Sequence, residues 1–453
     1  MSTTSRLPVL APFRIRSFRF QWPADLATSW AFEMETLILS WYVLVETGSV
    51  LLLTVFASLL YIGTLLAPIF GVVGDRISHR NLLCAMRAVY ATLAITLMTF
   101  TFTGVLSPVN VLIIAALMGI VRPSDIGIRA ALIGETMPAA QLMGATSVSH
   151  TTQYSARIMG ALAGAGLVAA LGMGPAYAAI ACLYAVSFLL TLGVAGARSA
   201  PRPPDDMAGA FSRPREPLGE RPVAGAGAKA RFPQTADFDG NVSARPSLWR
   251  DFRDAVAHVW TTPQLLAAMC LAFLVNLTAF PLVMGLLPYV AKEIYRTDQT
   301  GLGYLVASFG FGALLGSITL SRIGHAIRPA RMMIVFCAVW YAMVMVFSQM
   351  QNPVAGIVVL MLAGLAQSLS LVPMSVMLLR TAGEQFRGRV MGIRVLAIYG
   401  VPIGLMISGP LIGGFGYPAT ATLYCAIGLV FTLLIAVRWR ADLWRLEAPA
   451  NTR

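Results

Sequence analysis

GVVGDRISHR, residues 71–80, places an aspartate, two arginines and a histidine between two apolar segments. About twenty nearly uncharged residues, Val50 to Gly71, lead into it, and from Leu82 the chain is apolar again. About 20 apolar residues cross the hydrocarbon core of a bilayer as a helix. The decapeptide therefore reads as a short polar loop joining two membrane spans.

The composition agrees. The 453 residues are 57% hydrophobic and 12% charged, whereas a soluble domain is about 25% charged. So few charges do not cover a water-facing surface of this size, and a hydrocarbon-facing surface needs none. The net charge of +13, from 33 Lys+Arg against 20 Asp+Glu, does not imply a nucleic-acid partner, because no soluble basic module is present to carry it. The five cysteines lie inside or beside apolar segments without CxxC or metal-ligand spacing, so they read as small apolar packers, with no metal site and no disulfide framework. The N-terminal segment lacks the apolar core and cleavage site of a signal peptide. Its arginines at 14, 16 and 19 among aromatic residues suit the inner headgroup region.

Twelve candidate spans follow: 24–45, 50–73, 82–103, 108–127, 142–170 and 175–197, then 264–290, 301–320, 332–349, 354–379, 389–413 and 418–438. The runs are long and do not alternate, which excludes a membrane β-barrel. Between the two sets, residues 198–262 change character. PRPPDDMAGAFSRPREPLGERPVAGAGAKARFPQ, from Pro201, has too many prolines for a long helix and reads as a flexible linker. LWRDFRDAVAHVW, 248–260, reads as an amphipathic helix on the inner surface or as the first turns of the next span. The expected organisation is an N-terminal segment (1–23), a six-helix bundle (24–197), a linker (198–262), a second six-helix bundle (263–438) and a tail (439–453).

Orientation follows from arginine. With the N-terminus inside, the loops on the outer side carry Lys292 and Arg296, the spans carry Arg87, Arg122, Arg157 and Arg394, and the remaining 27 of the 33 basic residues lie inside. Lys and Arg concentrate on the cytoplasmic side, so both termini and the linker are expected there, in a bacterial inner membrane.

The halves also repeat. Arg76-Ile77-Ser78-His79 recurs as Arg322-Ile323-Gly324-His325, Glu135 as Glu384, and Met143-Gly144 as Met391-Gly392, at offsets of 246 to 249. Parallel repeats of this kind are a transporter architecture.

Six and six helices with a long cytoplasmic linker resemble the major facilitator superfamily. Its loop signature between the second and third spans has the form G-x-x-x-D-R/K-x-G-R/K-R/K. Gly71, Asp75, Arg76 and Arg80 match it, while Ser78 and His79 depart from it. Three further stretches, METLILSWYVLVETGS (34–49), IRAALIGETMPAAQLMGATSVSHTTQYSARIMGALAGA (128–165) and GEQFRGRVMGIRVLAIYG (383–400), resemble bacterial drug and siderophore exporters of the enterobactin-exporter type. The resemblance implies that Asp75 latches the inner mouth by facing the start of span eleven, near Arg387, Arg389 or Arg394. It also implies that Glu35 is the carboxyl that exchanges a proton.

Other candidates come from spacing. Arg122, Asp125 and Arg129, at i, i+3 and i+7, share one face of span four and read as a second gating network. On span five Thr146, His150, Gln153 and Arg157 form a polar stripe that should face a water-filled cavity. Two roles fit Arg157: attraction of an anionic substrate, or pairing with an acid of span one or four. Glu33 and Glu35 are about 200° apart around span one, so they do not both face one cavity. Asp25, nearer the inner edge, reads as a gate or surface residue. In the second half Asn276 and Gln367 are the polar cavity candidates, and Pro281, Pro288, Pro373, Pro402 and Pro410 should interrupt their helices locally.

The expected function is secondary active export of a small amphipathic molecule, coupled to protons, by alternating access. An importer or uncoupled facilitator on the same fold, and a non-transporting receptor or scaffold, are the alternatives. HExxH, GxSxG and Walker motifs are absent, which argues against an enzyme or an ATP-driven pump within this chain. No cofactor is expected. The expected partners are a small-molecule substrate, protons and the lipid bilayer, and the working unit is a monomer.

Overall fold

A computed structural model describes residues 12–66, 77–194, 248–323 and 328–441, with the side chains of some helical residues in these ranges left undescribed. The first half holds α1 (Arg16–Thr47), α2 (Val50–Leu59, then a 3-10 turn Ile62–Leu66), α3 (His79–Phe102), α4 (Pro108–Thr136), α5 (Ala139–Leu171) and α6 (Met173–Leu192). Helix α7 covers Leu248–Thr261, and α8 (Pro263–Thr278) follows it. The second half continues with α9 (Gln299–Ile323), α10 (Pro329–Gln349), α11 (Pro353–Thr381), α12 (Gly383–Leu396), α13 (Gly400–Phe415) and α14 (Tyr417–Arg438). Among the described residues there is no strand.

Ten helical segments among the described residues are long and apolar enough to cross a membrane. The other two expected spans are α1 and α2. Helix α1 has 32 residues, ample for the bilayer, but carries Asp25, Glu33 and Glu35. Helix α2 has 10 residues, and the rest of its expected span runs into residues outside those described. Helix α1 also begins earlier than expected. It runs unbroken through Pro23, because Phe18 is buried against Ile133, Met137 and Ala145, and Trp22 packs edge-on to Phe13.

Local chemistry sets the ends. Ser49, Ser107 and Asn352 accept backbone N–H groups in the first turns of α2, α4 and α11. The fourth span of each half begins at a proline just after such a cap, Pro108 and Pro353. The turn between the fifth and sixth spans of each half is a glycine in a conformation that L side chains avoid, Gly172 at φ 83° and Gly416 at φ 78°. These two pairs extend the internal repeat beyond the motifs read in the sequence.

Packing repeats as well. In the first half, span one lies against spans five and six, span three against four and six, and span two against four. The same pairs form in the second half: α8 with α13 and α14, α10 with α11 and α14, and α9 with α11. Across the seam the second span of each half packs on the fifth of the other, α2 on α13 and α9 on α5. This reciprocity is the mark of two matched bundles related by a pseudo-twofold axis.

The seam closes toward the membrane face opposite the termini. There Lys292 Nζ donates to the Leu44 carbonyl at 3.1 Å. Gly409 abuts Leu51 and Thr54, and Gly303 abuts Ala161 and Ala165. Span seven bends near its prolines, with π-helical turns at Pro281–Gly285 and Val290–Ile294. At Pro373 and Pro410, where an interruption is expected, α11 and α13 continue through.

Candidate transport cavity

Where the bundles part, a cavity of about 250 Å³ lies between α1, α2, α4 and α5 on one side and the Val283–Pro288 stretch of span seven, α9 and α13 on the other. Its charged lining is Glu33, Arg122 and Arg157, set among Phe32, Phe56, Tyr61 and Met284. A narrower crevice of about 100 Å³ runs back into the first bundle past Ser29, Tyr90, Asp125, Arg129 and Gln153. On the terminal side a larger, mostly apolar space of about 500 Å³ lies between α2, α4 and Val395–Ile398. Leu60, Tyr61, Arg122 and Ile126 line both this space and the central cavity.

The two glutamates of α1 separate as their rotation requires. Glu33 faces the cavity, with its Oε1 3.9 Å from Arg122 Nη2. Glu35 is 1% exposed and accepts the Tyr184 hydroxyl at 2.9 Å, while its other oxygen is buried without a partner. Gly160 and Gly164 of α5 allow this region of α1 to come close, since a Cβ at either would press on Glu33 or Met34.

Arg122 stands apart from Asp125 and Arg129 despite the shared helix face. Its guanidinium lies on the ring of Phe32, and Nη1 is buried without a hydrogen-bond partner. Arg129 instead bonds Asp125 at 2.5 Å and Ser29 Oγ at 3.0 Å, and sits 3.7 Å from Asp25. Asp25 also pairs with Arg87, which donates to Thr191 as well. Asp25, expected as a gate or surface residue, is thus buried at the centre of a four-member ion network. Arg87 is 0% exposed. One signal for it was available: a lone arginine in an apolar span needs an acid at matching depth.

Arg157 has the opposite surroundings. Its Nη2 reaches the Met284 sulfur at 2.9 Å, and its guanidinium stands 5.0 Å over the Phe309 ring. Among the described residues no carboxylate lies within 4.0 Å of it.

The remaining candidates scatter. Gly71, Asp75 and Arg76 lie outside the described residues, as do the side chains of His150 and Arg389. Arg80 donates to the Leu192 carbonyl at the end of α6 at 2.5 Å, and His79 meets Glu135 at 2.6 Å. Gln153 lines the crevice. Asn276 bonds its own helix at the Ala272 carbonyl, 2.7 Å away, and Gln367 is buried in α11. Neither lines the cavity.

Residues 269–451 match the Major Facilitator Superfamily, and residues 7–213 match the family described as transmembrane secretion effector. Each match covers less than half of the chain, one in either half of it, and the chain has the major facilitator fold. Among curated relatives it is 26% identical to the enterobactin exporter EntS of Citrobacter koseri over 174 residues, 38% of this chain and 41% of that protein. It is 27% identical to EntS of Escherichia coli O1:K1 over 169 residues, 36% of this chain and 40% of that protein. The match thus spans about two fifths of the relatives' length. Solved transporters share the fold. The POT family transporter PepTSo superposes at TM-score 0.66 with 12% identity over 95% of this chain and 99% of that one. The D-xylose–proton symporter gives 0.64 with 11% identity over 92% and 96%. With ten apolar helices among the described residues the chain is a multi-pass membrane protein, and it resembles the enterobactin-exporter type.

Proposed function

We propose that this transporter exports a small amphipathic molecule from the bacterial cytoplasm in exchange for protons, as a monomer with both termini and the linker inside. The halves rock about the central cavity, which is closed at the far face and spacious on the terminal side. The direction is supported by the named exporters among its relatives, and the inside placement of the termini and linker by the arginine distribution. Gly71, Asp75, Arg76, Arg80 and Arg389 act as the latch at the inner mouth, and Asp125 and Arg129 hold α4 against α1 as it moves.

The observation that carries the coupling is Glu35, a carboxyl buried midway along α1 whose one hydrogen-bond partner among the described residues is the neutral Tyr184 hydroxyl. Binding a proton cancels a charge that hydrocarbon penalises. Glu33, two residues away in the cavity, is the second exchangeable carboxyl. Each pH unit of gradient supplies about 1.4 kcal/mol per proton.

The test is transport in proteoliposomes with an imposed pH gradient, using dyes, drugs and siderophores as substrates. Glu35→Gln is expected to abolish the response to the gradient while leaving downhill exchange. Equal gradient-driven flux by both proteins overturns the coupling role. Asp75→Asn is expected to slow transport in every mode with insertion intact, and unchanged flux removes the latch.

A further inference from the structure

The central cavity holds one carboxylate, Glu33, against two guanidinium groups, Arg122 and Arg157. The crevice behind it does not change that balance, because Asp125 and Arg129 pair with each other and Asp25 pairs with Arg87. The surplus is located at Arg157, whose neighbours are a thioether and an aromatic face rather than an acid. Arg122 adds a buried, unpartnered Nη1 and a loose 3.9 Å approach to Glu33. A guanidinium in a low-dielectric cleft is costly unless an anion meets it, and among the described residues none lining the cavity supplies one for Arg157.

We infer that the substrate is an amphipathic anion whose acidic group bridges Arg122 and Arg157, displacing Glu33 from Arg122. Its apolar body lies among Phe32, Phe56 and Tyr61. A charge-assisted contact to arginine is about twice as strong as a neutral hydrogen bond, and the aromatic faces select a flat apolar body. At about 250 Å³ the cavity is just below the usual range of about 300–1,000 Å³ for drug-sized ligands, which suits a one- or two-ring molecule. An anion leaving the cell moves down an inside-negative potential, at about 2.3 kcal/mol per charge per 100 mV. The inference rests on the export reading for the cavity but not on proton coupling.

The experiment measures equilibrium binding to the purified full chain in nanodiscs, without any gradient. The probes are naphthalene-2-sulfonate, neutral 2-(hydroxymethyl)naphthalene and naphth-2-ylmethylammonium. The sulfonate is expected to bind at least about tenfold tighter than the other two, a difference of about 1.4 kcal/mol. Arg157→Gln should remove that preference and Arg157→Lys should keep part of it. Glu33→Gln, which removes the competitor for Arg122, should tighten sulfonate binding several-fold. A folding defect weakens every probe alike, so opposite signs for the two variants mark a site. Equal or tighter binding of the ammonium, or a sulfonate affinity indifferent to Arg157→Gln, overturns the inference. Loss of gradient-driven transport in Glu35→Gln with this pattern intact, or the reverse, separates this inference from the coupling reading.

Discussion

The two bundles share a packing plan and differ in what they bury. Every buried charged residue among those described, Asp25, Glu35, Arg87, Asp125 and Arg129, belongs to the first half. The second half buries Trp340, Tyr341, Phe309 and Phe347, and its buried polar contacts are neutral, such as Thr278 with Tyr341 at 2.8 Å and Ser370 to the Met333 carbonyl at 2.9 Å. Its one intramembrane arginine, Arg394, is part-buried and bonds Ser375 at 2.8 Å. A duplicated scaffold has thus kept its helix contacts while ionic chemistry has been confined to one copy. The first bundle holds charge and water-accessible polar surface. The second is an apolar wall against which the cavity closes, and the inter-bundle contacts at Gly303 and Gly409 need only close steric fit.

Removing one member of the buried network tests that division hardest. Arg87→Met leaves Asp25 without its closest cation, and breaking a buried pair from one side costs about 3–5 kcal/mol. The thermal midpoint of the purified protein should fall sharply. Arg394→Met, in the second half, removes one part-buried hydrogen bond and should cost about 1 kcal/mol. The double variant Asp25→Leu/Arg87→Met should recover more than half of the loss, since apolar replacement of a whole pair is often neutral. Equal destabilisation by Arg87→Met and Arg394→Met would erase the contrast between the bundles.

The Asp25–Arg87 pair also marks the limit of what the chain reveals. The spans and the repeat are legible because bilayer thickness and helical rise act on contiguous residues. Rotation around one helix separates Glu33 from Glu35, and the structure places one in the cavity and the other behind Tyr184. Pairing across 62 residues depends on how helices turn toward one another, and no local pattern records it. Arg122 shows the same limit: its i, i+3, i+7 spacing puts it with Asp125 and Arg129, yet Glu33 and Phe32 on α1 draw it into the cavity. Asn276 illustrates the converse, because an amide can satisfy itself on its own helix and leave the cavity alone.

The seams made of small residues should behave alike in both bundles, in contrast to the charges. Gly160 sits against Glu33 and Trp30, and Gly312 and Gly364 sit against the carbonyls of Met361 and Phe309. Valine at Gly160 or at Gly312 overpacks a helix crossing, and each should cost about 1–3 kcal/mol, read as a lower thermal midpoint and lower yield. A tolerant Gly312 beside an intolerant Gly160 would show that the bundles differ in packing as well as in charge.

The smallest effect is expected where the bundles meet at the far face. Lys292 reaches the Leu44 carbonyl from the other half, and its nearest acid, Glu293 at 3.8 Å, is on its own segment. Lys292→Met removes one cross-seam hydrogen bond worth about 0.5–1.5 kcal/mol, too little to unfold either bundle. It is enough to shift a two-state equilibrium by roughly two- to tenfold. Spin labels at Val109 and Val354, exposed near the far ends of α4 and α11, should report a larger population at the longer distance in a cysteine-free background, with the thermal midpoint unchanged. Because the contact belongs to neither bundle alone, an unchanged distance distribution would mean that apolar fit at Gly303 and Gly409 holds the far face closed, and that charge has no part in joining the halves.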